Sequence, residues 1–226
     1  MNLQEAINKR RAFYSLVPAT INKELVDELA SAASLAPSCY NNQPWRFVFV
    51  YEPDRLSELK KALAKGNEWA LKGSMIIAVL SKEKDDCVLK NRIYHQFDTG
   101  MATALLLLKA TELGLVAHPI AGYDEPTVHE VCNIPDEYTV ITLIIVGKKD
   151  DHTHDNLTDW QKQSDQQRPP RKPRCQTPWD MILRYSITTI IMNTKPVIMM
   201  ACVKDCWSMA FMALVLPLNP FGSFRV

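Results

Sequence analysis

One stretch of the chain is unusually rich in side-chain amides. Residues 36–46 read Ala-Pro-Ser-Cys-Tyr-Asn-Asn-Gln-Pro-Trp-Arg and lie between a predicted helix and a predicted strand. Two prolines restrict the backbone of this stretch, which we call the amide loop, while its serine and amides supply hydrogen-bond donors and acceptors. Such groups suit the edge of a flat heteroaromatic ring, whose carbonyls and ring nitrogens need partners. A purely structural, rigid turn is the alternative interpretation.

A run of basic residues, Lys9, Arg10 and Arg11, lies near the end of the first predicted helix. Positive side chains at this position complement the helix dipole, which explains them without any ligand. Guanidinium groups also pair with phosphate in bidentate geometry. Taken alone, the run therefore favours the structural interpretation and leaves phosphate binding as the alternative.

Residues 118–123, His-Pro-Ile-Ala-Gly-Tyr, follow the longest predicted helix. Pro119 restricts the backbone here, whereas Ala121 and Gly122 leave room for another group to approach the backbone closely. Backbone N–H groups in such a segment can bind a ligand atom. Taken alone, the segment favours an ordinary loop that leads into the next helix, and ligand binding is the alternative.

Apolar patterning predicts the elements that position these segments. The patterns predict helices that begin at residue 2 and span residues 23–35, 54–65, 91–113 and 126–131, and strands at residues 46–51, 75–80 and 139–146. The middle of the helix at residues 91–113 is apolar all round, so we expect it to be central and buried on every side. The alternation of elements predicts an α/β or α+β fold with helices packed on a sheet.

Composition excludes several classes of protein. The net charge of +1 over 226 residues gives no global field for nucleic acid or an acidic membrane. Six cysteines without a CxxC pair indicate neither a disulfide framework nor a zinc site, and we expect Cys39 to be a small buried thiol. The chain begins without an apolar signal core, and its apolar runs are too short for a membrane helix, so we expect a cytoplasmic protein.

Together, and in this order, the three segments resemble the nitroreductase family of flavin-dependent oxidoreductases. Residues 36–47 are similar to the family signature Ala-Pro-Ser-x-x-Asn-x-Gln-Pro-Trp-Arg-Phe at every fixed position, and the paired arginines resemble its N-terminal Arg-Arg-Ser motif. Residues 118–124 resemble the loop placed against the flavin. The resemblance covers residues 1–173 and implies an α+β, three-layer α/β/α fold with a mostly antiparallel central sheet, a long buried helix and a domain-exchanging homodimer.

The resemblance also implies an FMN site. The paired arginines would hold the phosphate together with the backbone of Ala12 and a basic pair near residue 171, and the amide loop would contact the ring or the ribityl chain. The segment after His118 would lie along the ring, with the Ala121 N–H near the flavin N5. The implied cofactor-binding residues are Arg10, Arg11, Ala12, Pro37, Ser38, Asn41, Gln43, Asn67, Pro119, Ile120, Ala121, Gly122, Arg171 and Lys172.

The implied activity is ping-pong hydride transfer. NADH or NADPH would reduce the FMN, and a nitroaromatic, a quinone or a related acceptor would then take its place over the same ring. Since the cofactor carries the chemistry, we expect no catalytic side chain and no metal. Two alternatives remain: a reductase of one physiological substrate, such as a flavin, an enone or a halogenated aromatic, and a flavin-storage protein without turnover. The expected partner is a second copy of the chain, with neither nucleic acid nor membrane.

Two positions depart from the family pattern at the phosphate. The family's serine after the arginines is Ala12, and its basic residue two positions further on is Tyr14. Losing one charge-assisted hydrogen bond costs on the order of 1.5–3 kcal/mol. We therefore expect FMN to bind more weakly but still to bind.

The C-terminal third of the chain differs from the rest. Residues 148–173 are polar and charged, which predicts an arm with little core of its own, at the end of a domain spanning residues 1–173. Residues 174–226 are rich in methionine and cysteine, contain no glutamate, and keep no helical or strand periodicity. Two interpretations remain open for this tail: a hydrophobic segment that packs on a partner subunit, or a frameshifted or misjoined translation.

Overall fold

The computed structural model describes residues 1–171 of the chain. Lys172 and the tail at residues 174–226, for which two interpretations were left open, therefore lie outside the described residues. The helices are α1 Leu3–Lys9, α2 Lys23–Ser34, α3 Pro53–Lys60, α4 His95–Glu112, α5 Glu125–Cys132 and α6 Asp159–Gln166. The strands are β1 Leu16–Val17, β2 Arg46–Val50, β3 Met75–Ser81, β4 Val88–Leu89, β5 Arg92–Ile93, β6 Val116–Ile120 and β7 Thr139–Lys149.

The main sheet is built around β7, the longest strand. β3 pairs with one side of β7 and β6 with the other, and β2 pairs with the outer side of β3, so these four strands run in the order β2-β3-β7-β6. β1 pairs with the last two residues of β7, and β4 with β5 forms a separate hairpin. All of these pairings are antiparallel. The predicted α+β fold with an antiparallel sheet is confirmed.

Strand β6 was not predicted, because its residues were interpreted as a loop. Pro119 lies in β6 and cannot donate a ladder hydrogen bond, so proline is ordinarily confined to edge strands. Among residues 1–171, β6 pairs with β7 alone, so it is such an edge. Residues 118–120 are therefore the last part of a strand, and the loop begins only at Ala121.

Side chains of the central strands enter two separate hydrophobic clusters. Met75, Ile77 and Val79 pack with residues of α2 and α4. The alternate residues of β3, Ile76 and Ala78 among them, pack with residues of α3 and α5. Because successive side chains of a strand point to opposite faces, the two clusters lie on opposite faces of the sheet.

Helix α4 is buried along one line only within this chain. Ala102, Leu106 and Ala110 are fully buried at helical spacing, whereas the intervening apolar residues are half-buried or exposed. Phe97, in its first turn, is 63% exposed. The expectation that α4 is buried on every side is therefore wrong for the single chain. Its all-round apolar sequence leaves apolar surface that the other described elements do not cover.

The segment predicted to be an arm carries a packed helix. α6 begins with a capping box, in which the Thr158 and Gln161 side chains bond each other's backbone amides. Gln161 and Asp165 on its inner side are buried, and the Gln161 Nε2 donates to the Gly66 carbonyl at 3.2 Å. Polar side chains thus anchor this helix, which is why its sequence shows so little apolar signal. None of the helices at residues 1–171 combines the length and the apolar character required to cross a bilayer.

Candidate functional site

Residues 10–15, which we call the arginine segment, run between α1 and β1 and are held from α6. The Asp165 carboxylate accepts hydrogen bonds from the backbone N–H of Tyr14 at 2.7 Å and of Ser15 at 2.8 Å. The guanidinium of Arg168, just beyond α6, donates to the carbonyl of Arg10 at 2.8 Å. The segment has no regular secondary structure of its own, so these contacts determine its path.

Positive charge is concentrated at the start of this segment. Arg11 donates to the carbonyl of Ser164, and its guanidinium lies 4.5 Å from the centre of the Phe13 ring. Burial lowers the pKa of Arg11, the nearby Arg168 lowers it further, and Asp165 offsets part of the shift. The two guanidiniums therefore repel each other, and an anion between them would be stabilised.

Tyr14 turns its ring into an aromatic cluster. The ring centre lies 5.0 Å from that of Trp69, 4.7 Å from that of His118 and 5.6 Å from that of Trp160, each with an edge-on contact. A ring nitrogen of His118 bonds the Phe13 carbonyl at 3.0 Å. Burial lowers the pKa of His118, so the imidazole is neutral at pH 7. The residue in place of the family's basic residue thus serves packing, not charge.

Asn67 and Gly122 bring two further predicted segments together. The Asn67 Nδ2 donates to the carbonyl of Gly122 at 2.9 Å, and the N–H of Ala64 donates to the same oxygen at 3.1 Å. A Cβ at position 122 would lie 2.6 Å from the Asn67 Nδ2, so this close approach requires glycine. Beside it, Ile120 is buried and Ala121 is exposed.

The amide loop has a strained backbone. Tyr40, Asn41 and Gln43 all adopt positive φ, at 49°, 59° and 51°, which is unfavourable for residues other than glycine. Within the loop, the Ser38 Oγ accepts from the N–H of Gln43 at 3.0 Å, and the Gln43 Nε2 donates to the Asn41 carbonyl at 3.2 Å. The side chains of Asn41 and Gln43 are exposed.

Cys39 is joined to Cys87 by a disulfide, at a sequence separation of 48. The expectation of a buried free thiol is therefore wrong. Sequence could not pair these cysteines, since neither belongs to a recognisable spacing motif. The disulfide attaches the amide loop to the segment just before β4.

A carboxylate on α4 also holds the amide loop. Asp98 is buried and accepts from the N–H of Cys39 at 2.6 Å. Burial raises the pKa of Asp98, and the neighbouring Asp86 carboxylate raises it further. The Asn42 amide donates to Asp86 at 3.3 Å, so the loop has covalent and polar links to the same region.

The structure brings most of the predicted residues into two groups, not one. The arginine segment, Asn67 and Gly122 lie together, and the flanking residues Phe13, Trp69 and Ile120 pack in the cluster with α3 and α5. The amide loop packs through its end residues, Ala36 and Trp45, in the cluster with α2 and α4.

The two groups also lie at different edges of the sheet. The amide loop leads into β2 and the Gly122 turn follows β6, and these strands are the two outer strands of the order β2-β3-β7-β6. Three strand spacings correspond to about 14 Å. One copy of the chain therefore presents these two groups of candidate residues, which we call half-sites, on opposite faces and edges of its sheet.

The C-terminal basic pair was expected to complete the first group. Arg171 is exposed at the end of the described residues, and Lys172 lies beyond them. Arg168, which begins the Arg-Pro-Pro-Arg run, contacts the arginine segment, and Asp165 binds backbone amides of that segment. Sequence reasoning missed both. The only available signal was the basic run itself, since no local pattern links residue 165 to residue 14.

Comparison with known proteins decides the family. The nitroreductase family model matches residues 7–70 and 62–148, which together include the arginine segment, the amide loop and most of the sheet. The chain belongs to the nitroreductase family. MhqN of Bacillus subtilis strain 168, provisionally named an NAD(P)H nitroreductase, is 24% identical to this nitroreductase over 63% of the chain and 86% of its own length.

Three further similarities concern the sequence and the fold. A solved structure described as an oxidoreductase containing FMN is similar to this nitroreductase with a TM-score of 0.66 and 26% identity, over 75% of this chain and 87% of the other. Iodotyrosine deiodinase 1 of Sus scrofa is 30% identical over 58% of this chain but only 45% of its own length. A nitroreductase family protein of Clostridium novyi NT shares the fold, with a TM-score of 0.62 and 24% identity over 67% of this chain and 87% of the other.

Proposed function

We propose that this nitroreductase is an FMN-dependent oxidoreductase that uses NADH or NADPH to reduce nitroaromatic, quinone or related acceptors. The observation that carries the proposal is the convergence of the arginine segment with Asn67 and the Gly122 turn at one edge of the sheet. These segments are far apart in sequence, yet they lie together in the fold. One FMN molecule requires this arrangement, because one end of its site must bind the phosphate and the other end must bind the ring. Family membership and the similar FMN-containing oxidoreductase support the cofactor.

The charges of the arginine segment fit a phosphate group. Arg10, Arg11 and Arg168 lie at one end of the site, and the Asp165 carboxylate acts on Arg11. The mutual repulsion that lowers the pKa of Arg11 would be relieved by a bound dianion. In this proposal, Arg10 and Arg11 hold the phosphate, the backbone of Ala12 approaches it, and Arg168 takes the part expected of Arg171 and Lys172.

The exit of β6 fits the edge of a flat ring. Bound FMN would supply hydride acceptance and donation at its N5. Asn67 fixes the turn through the Gly122 carbonyl, and the exposed Ala121 is free of side-chain bulk that would block the ring. We assign Pro119, Ile120 and Gly122 to the wall beneath the ring, and the Ala121 N–H to a hydrogen bond at the ring edge. No side chain needs to act as acid, base or nucleophile.

The complete site requires a second copy of the chain, so we propose a homodimer. The Pro37, Ser38, Asn41 and Gln43 contacts would come from the amide loop of the partner, since the loop of the same chain lies at the other edge of the sheet. Exposed apolar side chains border both half-sites. Leu3, on the helix leading to Arg10, is 69% exposed, Tyr40 in the amide loop is 84% exposed, and Phe97 on α4 is 63% exposed. A shared interface would cover these side chains and join the half-sites reciprocally.

The proposal extends to the layer arrangement, the acceptor and the location of the protein. The helices on both faces of the sheet support a three-layer α/β/α arrangement, and the small-molecule acceptor and a cytoplasmic location follow from the proposed activity. The exchange of C-terminal segments between subunits, and a domain that ends at residue 173, stay predictions because they concern residues at or beyond the end of the described part.

The proposed function is tested first by colour. The purified protein should be yellow or become yellow with FMN, and anaerobic NADH or NADPH should bleach the absorbance near the flavin maximum. Reoxidation by a nitroaromatic or a quinone would establish turnover, while bound flavin that neither nucleotide reduces would indicate storage. A protein that binds no FMN at any concentration would exclude the proposal. Sedimentation should give twice the mass of the chain.

A further inference from the structure

Asp165 is a buried carboxylate on α6 to which the sequence analysis gave no role. Its side chain is 7% exposed, and each of its oxygens accepts a different backbone amide, Oδ1 from Tyr14 and Oδ2 from Ser15. These partners are 151 and 150 positions away in sequence. A buried carboxylate is costly unless hydrogen bonds and positive charge stabilise its ionised form. Asp165 and the arginine segment therefore stabilise each other.

The positive charge that compensates Asp165 comes from the site itself. Asp165 acts on the pKa values of both Arg11 and His118, raising each against the opposing effect of burial. His118 stays neutral at pH 7, so the arginines supply the charge. The carboxylate thus acts on Arg11, one of the two arginines proposed to meet the phosphate, while its oxygens bind backbone amides.

Three contacts along α6 and its exit determine the direction of the arginine segment. Arg168 holds the carbonyl of Arg10, the carbonyl of Ser164 holds the guanidinium of Arg11, and Asp165 holds the amides of Tyr14 and Ser15. The two amides bound by Asp165 are not available to a ligand. What the carboxylate contributes is therefore orientation: the peptides after Ala12 are held in place, and the arginine side chains are directed from a fixed backbone.

We propose that Asp165 is a positioning residue for the phosphate of the flavin nucleotide. It does not contact the ligand; it holds the backbone that directs Arg10 and Arg11, so that the phosphate meets cations already in place. This inference rests on the proposed function. Riboflavin has the same ring as FMN but no phosphate. A positioning role therefore predicts that loss of Asp165 weakens FMN binding more than riboflavin binding, whereas a merely structural role predicts no such difference.

The test compares Asp165→Asn with wild type in equilibrium titrations against FMN and against riboflavin. The asparagine keeps the size and one acceptor oxygen but loses the charge and the second acceptor. We expect the dissociation constant for FMN to rise about tenfold and that for riboflavin to change by less than about twofold, as for one weakened charge-assisted hydrogen bond. Asp159→Asn, on an exposed position of the same helix, is the matched control and should change neither constant.

The outcomes separate this inference from the proposed function. If wild type binds FMN but D165N keeps the wild-type ratio of the two constants, Asp165 has only a structural role and the inference is wrong. If wild type binds neither flavin, the proposed function fails and the inference with it. If D165N does not fold, as judged by circular dichroism, Asp165→Glu replaces it. D165E retains the charge but displaces both oxygens, so an FMN-specific loss supports positioning and an equal loss for both flavins overturns it.

Discussion

The two half-sites of this nitroreductase are held in place by different physical means. The arginine segment is held by charge and by backbone hydrogen bonds from Asp165 and Arg168. The amide loop is held by a disulfide, by turns within itself and by Asp98. The first arrangement should respond to charge substitutions and to protonation of His118, and the second, which contains the disulfide, should respond to reducing agents. Substitutions in each half-site test whether the responses of the arginine segment and of the amide loop are separate.

The largest expected effect follows from removing the disulfide. In the chain-entropy model, a crosslink between residues 48 positions apart stabilises the fold by about 4 kcal/mol. The double substitution Cys39→Ser with Cys87→Ser should lower the free energy of unfolding by up to about that amount. Urea denaturation measures it. The amide loop should also become sensitive to protease, because its positive-φ residues then lose their covalent restraint.

Cys132→Ser is the matched control for the disulfide. Cys132 is a half-buried free cysteine, and burial raises the pKa of its thiol to about 11, so it is not a competing thiolate at neutral pH. We expect C132S to change the free energy of unfolding by less than about 1 kcal/mol. A double variant as stable as wild type, in the absence of reductant, would show that the two sulfurs are not bonded in solution.

The second effect concerns the paired arginines. Replacing both, Arg10→Gln with Arg11→Gln, removes two charge-assisted contacts to the phosphate and should weaken FMN binding on the order of a hundredfold. Riboflavin binding should change much less, since it has no phosphate. Lys9→Gln, at the exposed neighbouring position, should leave both affinities near wild type. Equal losses for FMN and riboflavin would contradict the assignment of this segment to the phosphate.

The third effect is at the ring side of the same half-site. Gly122→Ala would bring a Cβ to 2.6 Å from the Asn67 Nδ2 and displace that amide from the Gly122 carbonyl. We expect FMN and riboflavin to lose affinity together, by up to about tenfold, because the change affects the ring and not the phosphate. Gly100→Ala on α4 meets nothing within 4 Å and is the control. An FMN-specific loss in G122A would reverse the assigned orientation of the ligand.

Much of the fold was predictable because its elements carry local signals. α2 was predicted at residues 23–35 and spans Lys23–Ser34, with an Asn22 cap, and β3 follows its apolar run. Among the elements that were missed, β6 and α6 bear on the candidate site. β6 contains Pro119, which argues against a strand unless the strand is known to be an edge, and α6 is anchored by buried polar residues that no hydrophobic pattern reveals.

The sequence could suggest candidate site residues but not their assembly. The resemblance to the family implied Arg10, Asn67 and Gly122 as cofactor-binding residues, which stays a prediction, and the structure brings their segments together. The Cys39–Cys87 bond and the Asp165 contacts join residues 48 and 151 positions apart, so only tertiary structure reveals them. Nor could sequence show that the amide loop lies at the far edge of the sheet from the arginines, since that depends on strand order.

The smallest effect is the contribution to the pH dependence of stability from His118, which contacts the arginine segment through the Phe13 carbonyl. Burial holds the pKa of His118 below its ordinary value of 6.5, although its bond to the Phe13 carbonyl and the Asp165 charge oppose the shift. Between the lowered pKa and 6.5, the unfolded chain binds more protons at this residue than the folded one, so stability falls as the pH falls through this range. At most, the contribution is about 1.4 kcal/mol per pH unit.

His118→Gln removes this contribution, so the stability difference between wild type and H118Q should shrink or reverse between about pH 7.5 and about pH 5.5 in urea denaturation. His152→Gln, at an exposed position, controls for loss of a histidine as such. Parallel stability profiles for wild type and H118Q would refute the effect.

Repeating the pair of denaturation series in the serine variant that lacks the Cys39–Cys87 bond should give the same His118 contribution, because the effects of distant, unconnected sites are additive. A contribution that disappears with the disulfide would show that the two half-sites are coupled through the sheet, and the separation between pH response and redox response would be wrong.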